Sequence, residues 1–237
     1  MTRGPIIAID GPAGAGKSTV ARHLAHHFGL LNLETGAMYR AFALKAIQSD
    51  EDFDDASALE RLARDTEIRL EPDRTGNRVR LDGQDVTERI RDSDVTQGAS
   101  RVSVHPGIRT WMVDLQRELG RLGGVVMEGR DIGTVVFPDA DVKVFLDASP
   151  EARTQRRYEQ NSASNRMNSG NGERLEVSRE LRERDERDRN RVSSPLAPAH
   201  DAIVIDSTEL TLDEVLTRIE DLVRPLFARR GPVEKAG

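Results

Sequence analysis

The sequence contains no cysteine among its 237 residues. Disulfide bonds and metal sites built on thiolates are therefore excluded, and a reducing compartment is compatible with the chain. No run approaches the length of about eighteen apolar residues that a membrane-spanning helix needs. The N-terminus also lacks the basic-then-apolar pattern of a secretory signal. We therefore expect a soluble, cytoplasmic protein without a membrane partner.

Aromatic residues are scarce, with one Trp, two Tyr and six Phe. Such a chain has little surface for stacking bases, and its net charge of −6 argues against general affinity for nucleic acid. Lysine is scarce as well, because 31 of the 35 basic residues are arginine. Codon bias can account for much of this excess. Arginine nevertheless suits bidentate contacts to phosphate, so each arginine needs a positional argument.

The N-terminal segment carries the most specific motif. Residues Gly11–Ser18 match G-x-x-x-x-G-K-[ST] at every fixed position, after an apolar run at 6–9 and before a helical pattern. Glycines let successive backbone N–H groups converge on an anion, and the helix N-terminus adds partial positive charge. Lys17 would reach the β- and γ-phosphates, while the Ser18 hydroxyl would ligate Mg²⁺. The predicted nucleoside triphosphate site comprises Gly11, Pro12, Ala13, Gly14, Ala15, Gly16, Lys17, Ser18 and Thr19.

Short apolar runs alternate with helical patterns along most of the chain. Five of them read as strands, at residues 6–9, 30–33, 125–127, 142–146 and 202–206. This alternation predicts one α/β domain with a mainly parallel five-stranded sheet covered by helices on both faces. Ligands of such folds bind at the carboxyl ends of the strands. The alternating residues 68–71 and 79–84 predict a β-hairpin inside an inserted subdomain at roughly 64–101.

Motifs that distinguish other phosphate-loop proteins are missing. The chain has no N-K-x-D sequence for guanine and nothing near L-S-G-G-Q, which argues against a GTPase and a transporter ATPase. Asp73-Arg74-Thr75-Gly76 matches D-x-x-G but follows no apolar strand, so we interpret it as a chance match. The chain also lacks the long apolar run followed by Asp-Glu that would suggest a helicase.

A charged run near the C-terminus has a definite geometry. On a helical wheel, Arg184, Asp188 and Arg191 fall within about 60° of one another, on the stripe that holds Val177 and Leu181. A solvated, salt-bridged helix is the ordinary interpretation of such a run. Its continuity with an apolar stripe instead indicates charges that face the protein body, where they need partners or ligands.

Together with other arginines, this run predicts more positive charge than one triphosphate needs. Phosphoryl transfer to a second phosphorylated molecule would use it, because two polyanions must be brought together. The polar segment 154–172 lies between two predicted helices, and we interpret it as a mobile lid that excludes water, although it could be a linker.

Four motifs in this order resemble the bacterial cytidylate kinases, which are P-loop nucleoside monophosphate kinases. They are residues 9–19, Thr35–Arg40, Gly129–Pro138 and Arg184–Arg191, and the resemblance extends over nearly the whole chain. The inserted hairpin is also typical of the bacterial members. The resemblance implies a P-loop kinase fold that uses ATP and Mg²⁺ to phosphorylate CMP or dCMP. It also implies a monomeric kinase domain at 1–230, followed by a flexible tail at 231–237. Within this domain, the core would comprise residues 1–38, 104–153 and 173–230. The monophosphate-binding segment with the β insert would be 39–103, and the lid would be 154–172.

The resemblance also implies roles for individual residues. The cytosine would be surrounded by Thr35, Arg109, Asp131 and Arg191. The pentose would be held by Ser100, Arg184 and Asp188. Arg40 and Arg130 would clamp the monophosphate, and the lid residues Arg157 and Arg166 would approach the γ-phosphate. Catalysis would depend on Lys17, Arg130 and Arg157, and no general base is required because the acceptor oxygen is already ionised.

Two departures and two alternatives accompany this hypothesis. Glu34 stands where the family usually has Asp, and the lid is longer and richer in Asn and Ser than is common. A kinase of the same fold could use UMP or shikimate as acceptor. A protein of another class could hydrolyse ATP slowly as a switch. The histidines are given no catalytic role, and we expect His23, His26 and His27 at the surface or in packing.

Overall fold

The computed structural model describes residues 3–73, 76–163 and 171–228. It contains two sheets. The five parallel strands of the larger one are β1 (Ile6–Asp10), β2 (Leu31–Glu34), β6 (Val125–Gly129), β7 (Val142–Asp147) and β8 (Ile203–Asp206). The smaller, antiparallel sheet consists of β3 (Ile68–Asp73), β4 (Gly76–Leu81) and β5 (Gln84–Asp85).

The larger sheet has the strand order β2-β6-β1-β7-β8, with every neighbouring pair parallel. All residues of the central strand β1 are buried, as expected for a continuous apolar run that is covered on both faces. The predicted parallel sheet is confirmed. Its strand ends differ from the prediction by one or two residues, because polar residues such as Glu128 extend the ladders beyond the apolar runs.

The described part of the chain contains eight α-helices. They are α1 (Lys17–Phe28), α2 (Thr35–Gln48), α3 (Ala56–Arg64), α4 (Ser93–Val102), α5 (Pro106–Leu119), α6 (Pro150–Ala163), α7 (Asn171–Asn190) and α8 (Leu212–Ala228). Helices α1 and α8 pack against one face of the sheet, and α2 and α5 cover the other. Within the described ranges, no helix has both the length and the apolar character needed to cross a bilayer.

The inserted β element is also confirmed. Its strands β3 and β4 extend further into the predicted turn, pairing Asp73 with Gly76. Helix α4, which sequence analysis did not assign, follows the insert and packs on α2 through Val95, Ala99 and Val102. Its Gly98 lies against the ring of Phe53, where a Cβ would come within 2.6 Å of Cζ. Tertiary packing thus stabilises a helix whose Gly, Ser and Thr residues have low intrinsic propensity.

The C-terminal helix α8 packs on the sheet through one apolar face. Val215, Leu216, Ile219 and Val223 of this face are buried, whereas Leu212 is half exposed at the helix start. The predicted tail at residues 231–237 lies outside the described residues.

Candidate active site

The segment between β1 and α1 has a backbone conformation that requires glycine. Positive φ angles occur at Gly11 (144°), Gly14 (78°) and Gly16 (96°). A Cβ at Gly11 would lie 2.0 Å from the carbonyl oxygen of Leu146 in β7. Arg153 of α6 supports the segment by donating a hydrogen bond to the carbonyl oxygen of Ala13 at 3.1 Å. This phosphate loop is therefore a rigid backbone cradle at the carboxyl end of the sheet.

Lys17, at the start of α1, is buried. Its Nζ donates a hydrogen bond to the carbonyl oxygen of Pro12 at 2.7 Å. Burial, reinforced by nearby Arg130 and opposed by Glu128, lowers the pKa of Lys17 to about 7. An anion in the loop would restore the preference for the charged form, because opposite charge offsets the loss of solvation.

Asp10 connects β1 to the segment after β6, a role that sequence analysis did not assign. Its carboxylate accepts hydrogen bonds from the backbone N–H groups of Ile132 (2.8 Å) and Gly133 (2.7 Å). Burial raises the pKa of Asp10 to about 6, although both hydrogen bonds oppose the shift. The one sequence signal was an acidic residue at the end of a buried strand. Asp10 thus fixes the backbone that follows Asp131.

Five charged side chains form an alternating chain that we call the arginine–aspartate cluster: Arg109, Asp131, Arg191, Asp188 and Arg130. Arg109 donates to Asp131 through Nη2, and Arg191 Nη2 lies 3.9 Å from the other oxygen of Asp131. Arg191 Nη1 lies 3.5 Å from Asp188, which also accepts from Arg130 Nε at 2.7 Å. Four of the five side chains are at most 7% exposed, and Arg130 is 15% exposed. The wheel prediction for Asp188 and Arg191 therefore agrees with their inward orientation.

The cluster carries an excess of positive charge. Burial opposes ionisation of Asp188, but Arg130, Arg184 and Arg191 outweigh it and lower the pKa of Asp188. Arg184 is only partly buried by its surface area, and it lies near three cations, Arg130, Arg40 and Arg157, as well as near Asp188. Burial and the adjacent Arg130 lower its pKa to about 10. Three arginines and two aspartates in the cluster, with Arg184 beside them, make this end of the cavity attractive to an anion.

Arg40 of α2 adds a further cation. Its Nη2 is 4.0 Å from Glu34, the residue that departs from the family pattern. Its Nε is buried and has no hydrogen-bond partner among the described residues. Burial lowers the pKa of Arg40, and burial together with Glu128 raises the pKa of Glu34. Arg40 is thus a cation with only a long ion pair, to Glu34, among the described residues.

Two hydroxyl groups predicted to contact substrate have protein partners. Thr35 Oγ1 donates to the carbonyl oxygen of Glu128 at 2.8 Å. Ser100 Oγ, on the unpredicted helix α4, accepts from Arg187 Nε at 3.0 Å. Arg187 lies in the charged run at 184–191, but sequence analysis gave it no role.

Helices α6 and α7 include much of the predicted lid at 154–172. Residues 154–163 continue α6 rather than forming a loop, and residues 171–172 begin α7. Residues 164–170, including Arg166, lie outside the described residues. Arg157 of α6 donates to Gln160 at 3.0 Å. Arg153, also of α6, pairs with Asp185 of α7 at 2.6 Å, which ties the two helices together.

A cavity of about 890 Å³ brings the predicted site residues together. From the loop and α1 it is lined by Ala13, Gly14, Ala15, Gly16, Lys17, Ser18 and Thr19. From the rest of the chain it is lined by Thr35, Arg40, Ser100, Arg109, Arg130, Asp131, Arg157, Arg184, Asp188 and Arg191. Gly11 and Pro12 do not line it, since Gly11 packs on β7 and the Pro12 carbonyl oxygen holds Lys17. The cavity thus joins the phosphate loop to the arginine–aspartate cluster.

The chain is similar to known proteins over nearly its whole length. The family model described as Cytidylate kinase matches residues 7–225. The cytidylate kinase of Solibacter usitatus is 48% identical over 92% of this chain and 92% of its own length. That of Pelotomaculum thermopropionicum is 50% identical over 92% of this chain and 96% of its own length. Among solved structures, shikimate kinase from Acinetobacter baumannii in complex with shikimate shares 16% identity, with a TM-score of 0.43 over 97% of this chain and 96% of that chain.

Proposed function

Because the chain belongs to the cytidylate kinase family, and is thus an enzyme of phosphoryl transfer to CMP, we propose that ATP is the donor and that dCMP is also accepted. One observation carries this proposal. A single cavity contains both a phosphate loop and a separate cluster of buried arginines and aspartates. A donor triphosphate and an acceptor monophosphate can thus be held together, as transfer requires.

At the donor end, the loop's backbone N–H groups and Lys17 would bind the ATP phosphates. Mg²⁺ fits this end, because the Ser18 hydroxyl and the Glu128 carboxylate both line the cavity and hard oxygen ligands suit this ion. Ser18 would hold it directly. When bound, Mg²⁺ supplies charge neutralisation between the β- and γ-phosphates.

At the acceptor end, we propose that Asp131, Arg109, Thr35 and Arg191 read the cytosine. Cytosine presents an N4 amino donor beside N3 and O2 acceptors, which a carboxylate and an arginine can match. Asp131 and Arg109 are already bonded to each other. The base would therefore insert beside a preformed donor–acceptor pair. Uracil would leave a buried group unpaired, which is the basis of discrimination.

The sugar and the phosphate of the acceptor would occupy the rest of the cluster. Ser100, Arg184 and Asp188 would hold the pentose, and Arg40 and Arg130 would clamp the monophosphate. The position of Arg40 and Arg130 on the cavity wall supports this assignment. Lys17, Arg130 and Arg157 would neutralise charge on the migrating phosphoryl group, which is the main source of catalysis in such transfers.

We propose the domain division that the resemblance implies, with a core at 1–38, 104–153 and 173–230. The acceptor segment with the β insert would be 39–103 and the lid 154–172. A monomer acting in the cytoplasm would suffice, because one chain supplies every assigned residue of the cavity. Light scattering at working concentrations would test the monomer.

The direct test is ADP release with Mg-ATP and a panel of CMP, dCMP, UMP, AMP, dTMP and shikimate. We expect turnover with CMP and dCMP and weak turnover with UMP. Turnover confined to another acceptor would overturn the base assignments but leave the phosphate loop intact. ATP hydrolysis that ignores every acceptor would favour the switch alternative instead.

A further inference from the structure

Three side chains on the face of the molecule formed by α1 and α8 make a second constellation of potential metal ligands. His23 and His27 lie one turn apart on α1, with their rings stacked at 5.8 Å, and Glu220 reaches both from α8. His23 Nε2 is 2.6 Å from Glu220 Oε1, and His27 Nδ1 is 3.9 Å from the same oxygen. All three ligand atoms lie within 4.8 Å of one another. From this geometry we propose that these residues form a binding site for a divalent transition-metal ion of the Zn²⁺ type.

The spacing suits such an ion. Zinc bonds of about 2.0–2.1 Å in a tetrahedral arrangement place donor atoms roughly 3.3 Å apart. The distances from Glu220 Oε1 to His23 Nε2 and to His27 Nδ1 are 2.6 and 3.9 Å, on either side of this value. Small side-chain rotations would therefore equalise them. Two imidazoles and a carboxylate leave a fourth position for water, which is a common zinc ligand set.

Neighbouring groups already orient the three ligands. Arg224 lies 3.4 Å from the other oxygen of Glu220, so that Oε1 is directed toward the histidines. The ring of His27 contacts Phe28 edge-on at 4.6 Å, and Phe28 stacks on Phe227 of α8 at 4.9 Å. Partners that fix the orientation of ligands in this way raise the affinity of metal sites.

The site is open to solvent and lies apart from the nucleotide cavity. The side chains of His23 and His27 are 38% and 42% exposed, so an ion can reach them without unfolding. None of the three residues lines the cavity. A bound ion would join the helix that begins with Lys17 to the C-terminal helix. Its expected effect is stabilisation of the folded state by mass action.

The test uses the full chain without an affinity tag, since a histidine tag would itself bind zinc. Calorimetric titration with ZnCl₂ at pH 7.5 should show one site per chain, and zinc should raise the unfolding temperature above that in EDTA. A partner that only orients a ligand changes metal affinity about 10- to 100-fold, so removing a ligand should cost at least as much. The His23→Ala/His27→Ala double variant should therefore lose the zinc response, and Glu220→Gln should weaken it.

His26→Ala is the matched control, because His26 is an exposed histidine on the same helix outside the cluster. It should keep the full response. Each shift is the difference between zinc and EDTA for one protein, so a change in the variant's own stability cancels. Mg²⁺, which prefers oxygen ligands, should affect wild type and double variant equally. A zinc response that survives in the double variant, disappears in His26→Ala, or occurs only through dimerisation would overturn the site.

Discussion

The phosphate loop and the arginine–aspartate cluster line one cavity but are built differently. The loop is contiguous, Gly11–Ser18, and its shape depends on backbone angles and close contact with β7. The cluster draws its side chains from α5, from the segment after β6 and from the end of α7. The loop would present backbone N–H groups to a ligand, whereas the charges of the cluster are already paired with one another.

This difference has a consequence for binding. A triphosphate in the loop would add interactions to a preformed cradle. An acceptor in the cluster must instead exchange partners with buried ion pairs, whose charges cannot be left alone at low cost. The donor end is thus suited to holding charge, and the acceptor end to discriminating among ligands. Variants at each end should therefore have different effects.

The largest effect is expected from Lys17→Ala at the donor end. Lys17 carries the buried amine of the loop, which bound phosphates would hold in its charged form, so its loss should lower kcat by about 10³-fold, as for other preorganised charge-stabilising groups. Steady-state ADP release with saturating CMP measures this effect. Lys45→Ala is the control, because Lys45 forms an exposed pair with Asp82 outside the cavity. A kcat within tenfold of wild type for Lys17→Ala would contradict the assignment.

An intermediate effect is expected from Asp131→Asn at the acceptor end. The change leaves Arg109, which is 2% exposed, without its counter-ion. Breaking a buried pair in this way should cost about 3 kcal/mol of the free energy of unfolding in urea. If Asp131 reads the base, kcat/KM for CMP should also fall about 10- to 100-fold, with less effect on UMP.

Asp54→Asn is the matched control for Asp131→Asn. It removes the charge from an exposed pair with Arg101, in which the two side chains are 72% and 44% exposed. Such pairs contribute little, so its stability should stay within about 0.5 kcal/mol of wild type. Equal stability of the two variants would show that the cluster is not the buried network described above.

The two regions also differ in how far the sequence predicts them. The place of the loop between a buried strand and a helix was predicted, because its glycines, lysine and flanking patterns are local. The wheel argument predicted which residues of the charged run face inward, but it could not predict their partners. Asp188 pairs with Arg130, 58 positions away, and Arg109 with Asp131, 22 positions away. Such pairs depend on how distant segments pack.

The same reason explains the elements that sequence analysis missed. Helix α4 has weak helical propensity and is stabilised by contact with α2, so no local pattern signalled it. Asp10 is an acidic residue at a strand end, but its hydrogen bonds to Ile132 and Gly133 connect residues more than a hundred positions apart, so its role could not be predicted locally. The domain organisation around the lid stays a prediction.

The smallest expected effect is the uptake of a proton when a nucleotide binds at the donor end. Burial lowers the pKa of Lys17 to about 7 from the ordinary value of 10.5. Between these values the unfolded state binds more protons, so the contribution of Lys17 to stability rises with pH and is lost as pH falls through 7. The pKa of Asp10 is raised to about 6 from 3.8. Its contribution to stability is therefore fully present below pH 3.8 and is lost as the pH rises to 6.

At pH 8 the free enzyme therefore holds Lys17 mainly neutral, while Asp10 is ionised and titrates no further. Phosphates beside Nζ would favour the ammonium form, so binding of Mg-ATP without acceptor should take up close to one proton, roughly 0.9 for a pKa near 7. Calorimetry in two buffers of different ionisation enthalpy measures this uptake. Lys17→Met, at saturating nucleotide, should show none. Equal uptake by both proteins would mean that the proton binds elsewhere, and zero uptake by wild type would mean that Lys17 is already charged before the nucleotide arrives.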